Sequence, residues 1–106
     1  MSADRERLIQ EALEYDPNDP LLHFTYGNFL MEQKRLEEAA AAYRRAVELD
    51  ADYSAAWLAL GTALVALNEE EAAREALQTA AEVAQRKRDL KVRREALEEL
   101  QRLDEF

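Results

Sequence analysis

The amino-acid sequence predicts an all-α fold, a solenoid of about six helices stacked as hairpins. Three observations predict it. Of the 106 residues, 63 are Ala, Glu, Leu or Arg, all strong helix formers, and only two glycines and two prolines interrupt them. Strand-rich folds need many turns and β-branched runs, which this chain lacks. The chain also repeats itself at a spacing of 34 residues, where Gly27 meets Gly61, Leu30 meets Leu64, Ala39 meets Ala73 and Ala46 meets Ala80. A fixed period of that length marks a repeat architecture. Each period, finally, holds two runs whose apolar residues recur at helical spacing. The length and the 48% share of apolar residues suit one packed domain over residues 1–106.

The first helix is expected over residues 3–15, with Leu8, Ile9, Ala12 and Leu13 inward, and the turn YDPNDP with Pro17 and Pro20 closes it. A second, over 21–33, carries Leu22, Tyr26, Phe29 and Leu30. Lys34 and Arg35 form a short turn into a third helix over 36–49, whose stripe is Leu36, Ala39, Ala40, Tyr43, Ala46 and Val47. Tyr53, in the connection that follows, packs between repeats. A fourth helix over 54–67 has Ser54 as its N-cap and Asn68 as its closing turn residue, since Asn tolerates left-handed dihedrals. The fifth, over 69–83, opens with Glu69, Glu70 and Glu71, which suit the positive end of a helix dipole. Beyond it, repeat logic places a turn at 85–88, while composition alone also permits one unbroken helix from 70 to 106. In both cases Leu90, Leu97, Leu100 and Leu103 form an apolar stripe on a segment that covers the last core face. Phe106 either frays or joins that cover.

Gly27 and Gly61 lie inside helical patterns, where glycine costs about 1 kcal/mol relative to alanine. The offsetting gain is the close approach of a partner helix, and the alanines at 39, 46, 73 and 80 make the same case from the other side. In the second period these positions read Trp57, Leu60, Gly61, Leu64, Ala73, Leu77 and Ala80; in the first, His23, Tyr26, Gly27, Leu30, Ala39, Tyr43 and Ala46. This spacing resembles the tetratricopeptide repeat, a 34-residue helix-turn-helix unit. Ala51 and Gln85 stand where a closing proline is usual, although Pro17 fills that place upstream, and Leu30, Leu64 and Leu77 replace aromatics. Residues 20–53 and 54–87 form the two full repeats, 3–16 the second half of an earlier one, and 88–106 a C-terminal capping helix.

The resemblance implies a right-handed superhelix in which the first helix of each repeat lines a concave groove. Carried over by position, the groove residues are Leu21, Phe24, Thr25, Asn28 and Met31, then Ala55, Leu58, Ala59, Thr62 and Val65. That surface is neutral and mostly apolar, and suits an apolar peptide or an amphipathic helix of a partner protein. The C-terminal helix or a neighbouring subunit could fill it instead, and a self-associating module, a homodimer through the C-terminal helix or a solenoid end, is the alternative reading. One subgroup of the family clamps the acidic C-terminal tail of heat-shock chaperones with Lys, Asn and Arg. The matching positions here are Phe24, Asn28, Ala59, Asp89 and Arg93; three of the five cannot donate to a carboxylate, which argues against that ligand.

Other functions find little support. The net charge of −9 repels phosphate backbones and anionic membranes. The run RKRDLKVRR at 86–94 holds six cations without an interleaved aromatic for base stacking, and reads as a solvated helix end, so no nucleic acid is expected. The most apolar stretch, 55–67, is about 13 residues where a spanning helix needs about 20, and the N-terminus is charged, so a cytoplasmic protein without membrane contact is expected. No cysteine is present for disulfides, thiolate metal sites or nucleophiles. His23 is the single histidine and sits at a packing position, no phosphate loop or nucleophile–base pair occurs, and the acidic pairs point apart. The expected chain is not an enzyme and carries no cofactor or metal.

Overall fold

The computed structural model describes residues 2–105. The alternatives drawn for Phe106 lie outside that range. Six helices follow in order: α1 (Ser2–Tyr15), α2 (Pro20–Glu32), α3 (Leu36–Leu49), α4 (Ser54–Ala66), α5 (Glu70–Lys87) and α6 (Leu90–Asp104). Among the described residues there is no strand. Each helix packs on the next, and α6 reaches back to α4 as well. The molecule is therefore a stack of antiparallel hairpins with α1 at one end and α6 at the other.

Local chemistry sets the boundaries. Asp19 accepts from the Leu21 amide at 2.9 Å, and Pro20 occupies the first helical position, where its missing N–H costs nothing. Three turns share one geometry: Lys34, Asn68 and Arg88 take left-handed dihedrals with φ of 60°, 62° and 58°. The next amide in each reaches back five residues, Arg35 to the Leu30 carbonyl, Glu69 to Leu64 and Asp89 to Ala84, at 2.9, 3.0 and 2.8 Å. This satisfies a carbonyl that the helix end leaves orphaned. The turn at Arg88 ends the ambiguity between one helix and two after residue 70, and α5 runs on past Val83 to Lys87 before reaching it.

The core is built from small residues and a few large ones, among them Phe29, Leu30, Leu60, Leu64 and Leu77. The glycine argument holds in detail. A Cβ on Gly27 would collide with the Tyr43 ring, and one on Gly61 would sit 2.6 Å from Leu77 Cδ2.

Three expectations need correction. Ser54 does not cap α4: it is buried inside the first turn, and its hydroxyl donates to Asp89 Oδ2 at 3.0 Å, across to the α5–α6 turn. Leu8 points to solvent, because α1 packs chiefly on α2 and needs one stripe, in which Ile9 packs on the core and Leu13 is half-buried. Leu90 and Leu97 are also exposed; the inward face of α6 is Val92 and Ala96, with Leu100 and Leu103 half-buried. Asp89 accepts from the Val92 amide at 3.3 Å and so caps α6, which starts at Leu90.

Candidate functional site

The helices expected to line the groove are α2 and α4. On α2, Leu21 and Thr25 stand exposed at the N-terminal end, and the Thr25 hydroxyl donates to the Leu21 carbonyl at 2.8 Å. Phe24 is half-buried, its ring 5.8 Å from Tyr43 and 5.1 Å from Tyr53, so Tyr53 does pack between the hairpins. Asn28 is exposed, and its Oδ1 accepts from the Tyr43 hydroxyl at 2.7 Å. Burial pushes the Tyr43 hydroxyl up to about 12, with the Glu32 charge adding to it. Met31 is half-buried against the core. On α4, Ala55, Leu58, Ala59, Thr62 and Val65 are all half-buried.

Thr62 and Val65 meet α6. The Thr62 hydroxyl lies 2.9 Å from Glu99 Oε1 and 3.1 Å from the Leu58 carbonyl, and either oxygen can take its proton. A half-open cleft of about 480 Å³ runs beside this contact, with Val65, Ala66 and Leu103 as its apolar walls. Asn68, Glu70, Glu99 and Arg102 bring polar groups to it. The structure thus gathers two of the ten expected residues into one cavity. Leu103 belonged to the apolar stripe read from the sequence, whereas Glu99 and Arg102 carried no signal there. They could be found only once the rotation of α6 was known.

A second polar cluster joins α1 to the hairpin behind it. Arg35 donates to Glu6 at 2.9 Å and to both Glu38 oxygens at 3.0 and 2.7 Å. The Tyr26 hydroxyl donates to the other Glu6 oxygen at 2.8 Å. The Arg35 guanidinium, then the Tyr26 hydroxyl, hold the Glu6 carboxyl below its usual range, and Arg35 does the same for Glu38. Of the six cations of 86–94, three lie at the α5–α6 junction, where Arg86 pairs with Asp52 at 3.2 Å and Lys87 donates to the Asp52 carbonyl at 3.0 Å, and three lie on α6, which Asp89 caps. Among the described residues no group of three or more His, Cys, Asp or Glu could hold a metal ion, and no helix is long and apolar enough to cross a membrane.

Sequence models of the tetratricopeptide repeat match residues 8–41, 27–68 and 54–87, overlapping to cover both hairpins and most of α1. The chain belongs to the tetratricopeptide repeat family. Among solved tetratricopeptide structures, the first such domain of Spaghetti (RPAP3), bound to the HSP90 peptide SRMEEVD, superposes with a TM-score of 0.87 at 21% identity, covering 98% of this chain and 78% of that one. The yeast Sti1 TPR2AB domain, in complex with an HSP90 peptide, gives 0.89 at 20% identity, over 97% of this chain and 40% of that one. At such identities the likeness establishes the fold. Among curated proteins, the mouse protein O-mannosyl-transferase TMTC1 is 44% identical over 57 residues, 50% of this chain. The chain spans about 6% of the length of that relative.

Proposed function

We propose that the concave face binds a segment of a partner protein and seats an apolar side chain of that segment in the α4–α6 cleft. The observation that carries this is the cleft itself, about 480 Å³ and bounded by Val65, Ala66 and Leu103 with polar groups at its edge. Apolar walls with a few polar groups are what a peptide side chain and its flanking amides require. Protein binding is what tetratricopeptide domains do, and two structural neighbours hold HSP90 peptides.

The ligand in this reading is not a carboxylate tail of that kind. At the positions of the carboxylate clamp, Phe24 and Ala59 offer no donor, and Asp89 is spent on capping α6 and holding Ser54. Only Asn28, through its amide NH2, and Arg93 keep donors, two of the five positions. We read the chain as a non-enzymatic adaptor of the cytoplasm, where a cysteine-free sequence is at home. The test is a displayed-peptide selection against the purified chain, repeated on Leu58→Glu and Val65→Glu. Selected peptides should lose at least tenfold in affinity for both variants while the helical circular dichroism stays at wild type. Peptides that bind both variants unchanged would place the site elsewhere.

A further inference from the structure

Five large apolar side chains stand in solvent among the described residues: Leu8 (61% exposed), Tyr15 (95%), Leu21 (57%), Leu90 (71%) and Leu97 (41%). Leu21 belongs to the face discussed above. The other four make two pairs, Leu8 with Tyr15 on α1 and Leu90 with Leu97 on α6, each seven residues apart. Seven residues are close to two turns, about 10.5 Å along the axis, so each pair is a short stripe on one side of its helix. The stripes lie on the two terminal helices of the stack.

The register explains the α1 stripe. One and two periods on from Leu8 stand Ala42 and Ala76; from Tyr15, Leu49 and Val83. Ala42, Ala76 and Val83 are buried and Leu49 is half-buried. In α3 and α5, then, these positions are covered, and each of those helices has a first helix of its own hairpin before it. Among the described residues no such helix precedes α1 and none follows α6.

The charges around the stripes are opposite. Glu11 lies between Leu8 and Tyr15 with Glu14 beside it, and Glu11 has a long 3.8 Å contact to Arg7. Arg93 and Arg94 lie between Leu90 and Leu97, and neither has an ion-pair partner among the described residues. Pairing α1 with a second α1 would set Glu11 against Glu11, and α6 with α6 would set Arg93 against Arg94. Like charges in register disfavour both arrangements. An antiparallel α1–α6 pair instead aligns Leu8 with Leu97 and Tyr15 with Leu90, and brings Glu11 level with Arg93 and Arg94.

We propose that copies of this chain associate head to tail, α1 of one copy packing on α6 of the next through these two stripes. The contact is heterologous, so it builds open chains or rings and does not close as a two-fold dimer. It leaves the concave face free and does not depend on the peptide-binding reading.

Sedimentation velocity over a hundredfold concentration range tests this with two variants, Leu8→Glu/Tyr15→Glu and Leu90→Glu/Leu97→Glu. All four positions are exposed, so both variants should keep the wild-type circular dichroism. The wild-type mean mass should rise with concentration past that of a dimer, and more weakly at high salt. Each variant alone should be monomeric, and an equimolar mixture should form a one-to-one pair through the remaining intact α1 and α6. Leu97→Glu alone should lower the association constant at least about tenfold. A wild-type chain that stays monomeric throughout would overturn the proposal. So would self-association of either double variant, which means a symmetric contact, or a mixture that stays monomeric. Val65→Glu should leave the wild-type masses unchanged.

Discussion

His23 and Trp57 make the same hydrogen bond one period apart. His23 Nε2 lies 2.7 Å from the Pro17 carbonyl, and Trp57 Nε1 donates to the Ala51 carbonyl at 2.8 Å. A carbonyl only accepts, so the proton of this bond sits on His23 Nε2. In both hairpins the ring reaches back six residues and ties the start of the first helix to the connection that leads into it. The imidazole at a position usually held by an aromatic is therefore an indole substitute, in shape and in polarity.

Removing that donor while keeping a flat ring should weaken the fold modestly. His23→Phe and Trp57→Phe should each lower the unfolding free energy by about 1 kcal/mol, the usual net worth of one hydrogen bond. His23→Trp should stay within about 0.5 kcal/mol of wild type. Urea titrations followed by circular dichroism check all three; a Phe variant as stable as wild type would show that the bond contributes nothing.

At Gly61 the space for a side chain is already occupied, with Leu77 Cδ2 and Cγ only 2.6 and 2.7 Å from where a Cβ would stand. Gly61→Ala should destabilise by about 1–3 kcal/mol from overpacking, against a helix-propensity gain of about 1 kcal/mol. Gly61→Leu should abolish cooperative thermal unfolding. A rise in the melting temperature of Gly61→Ala would show that α5 can move away.

The left-handed turns predict the opposite sign. Lys34 and Arg88 hold a conformation that costs a side chain about 1–2 kcal/mol. Lys34→Gly and Arg88→Gly should each stabilise the chain by about 0.5 kcal/mol, once glycine's greater freedom in the unfolded state is subtracted. Asn68→Gly should gain less, since Asn accepts this region more readily. Differential scanning calorimetry would decide, and a loss of stability at Arg88 would show that its side chain has a role beyond the turn.

Titration of the α1 docking cluster gives an acid-side prediction. Arg35 holds Glu6 and Glu38 below the ordinary glutamate range, so their folded forms favour the charged state. Their contribution is fully present above about 4.5 and is lost as pH falls through the lowered values. Glu6→Gln should flatten the decline of stability on acidification, and the wild type should release α1 first. On the alkaline side Tyr43 is raised from 10.0 to about 12, so its contribution holds below 10 and disappears as pH passes 12. Ultraviolet titration of Tyr43→Phe should remove one late tyrosinate transition from the wild-type curve.

Much of this architecture was legible because the period falls on residues with packing roles. Gly27, Gly61 and the matching alanines mark close contacts from their spacing alone, and they are buried where the helices approach. The α5–α6 turn was ambiguous because Arg88 is not a residue that announces a left-handed turn, unlike Asn68. The faces of Leu8, Leu90 and Leu97 were misread because leucine at helical spacing marks a core only where a neighbour exists to cover it. The cleft was half legible: Thr62 and Val65 follow from the repeat, but Glu99 and Arg102 depend on which face of α6 turns toward α4.

The close contacts of Gly27 with Tyr43 and of Gly61 with Leu77 each span sixteen residues of chain. No long stretch of backbone must be ordered before either forms, so each hairpin can condense from neighbours in sequence and rapidly. Stability then passes along the array from one unit to the next. Amide exchange should follow the same gradient: fastest in α1, which has no buried residue, and slowest where α3 and α4 are flanked on both sides. Such a molecule frays inward from its ends and keeps its middle helices ordered after its edges have opened.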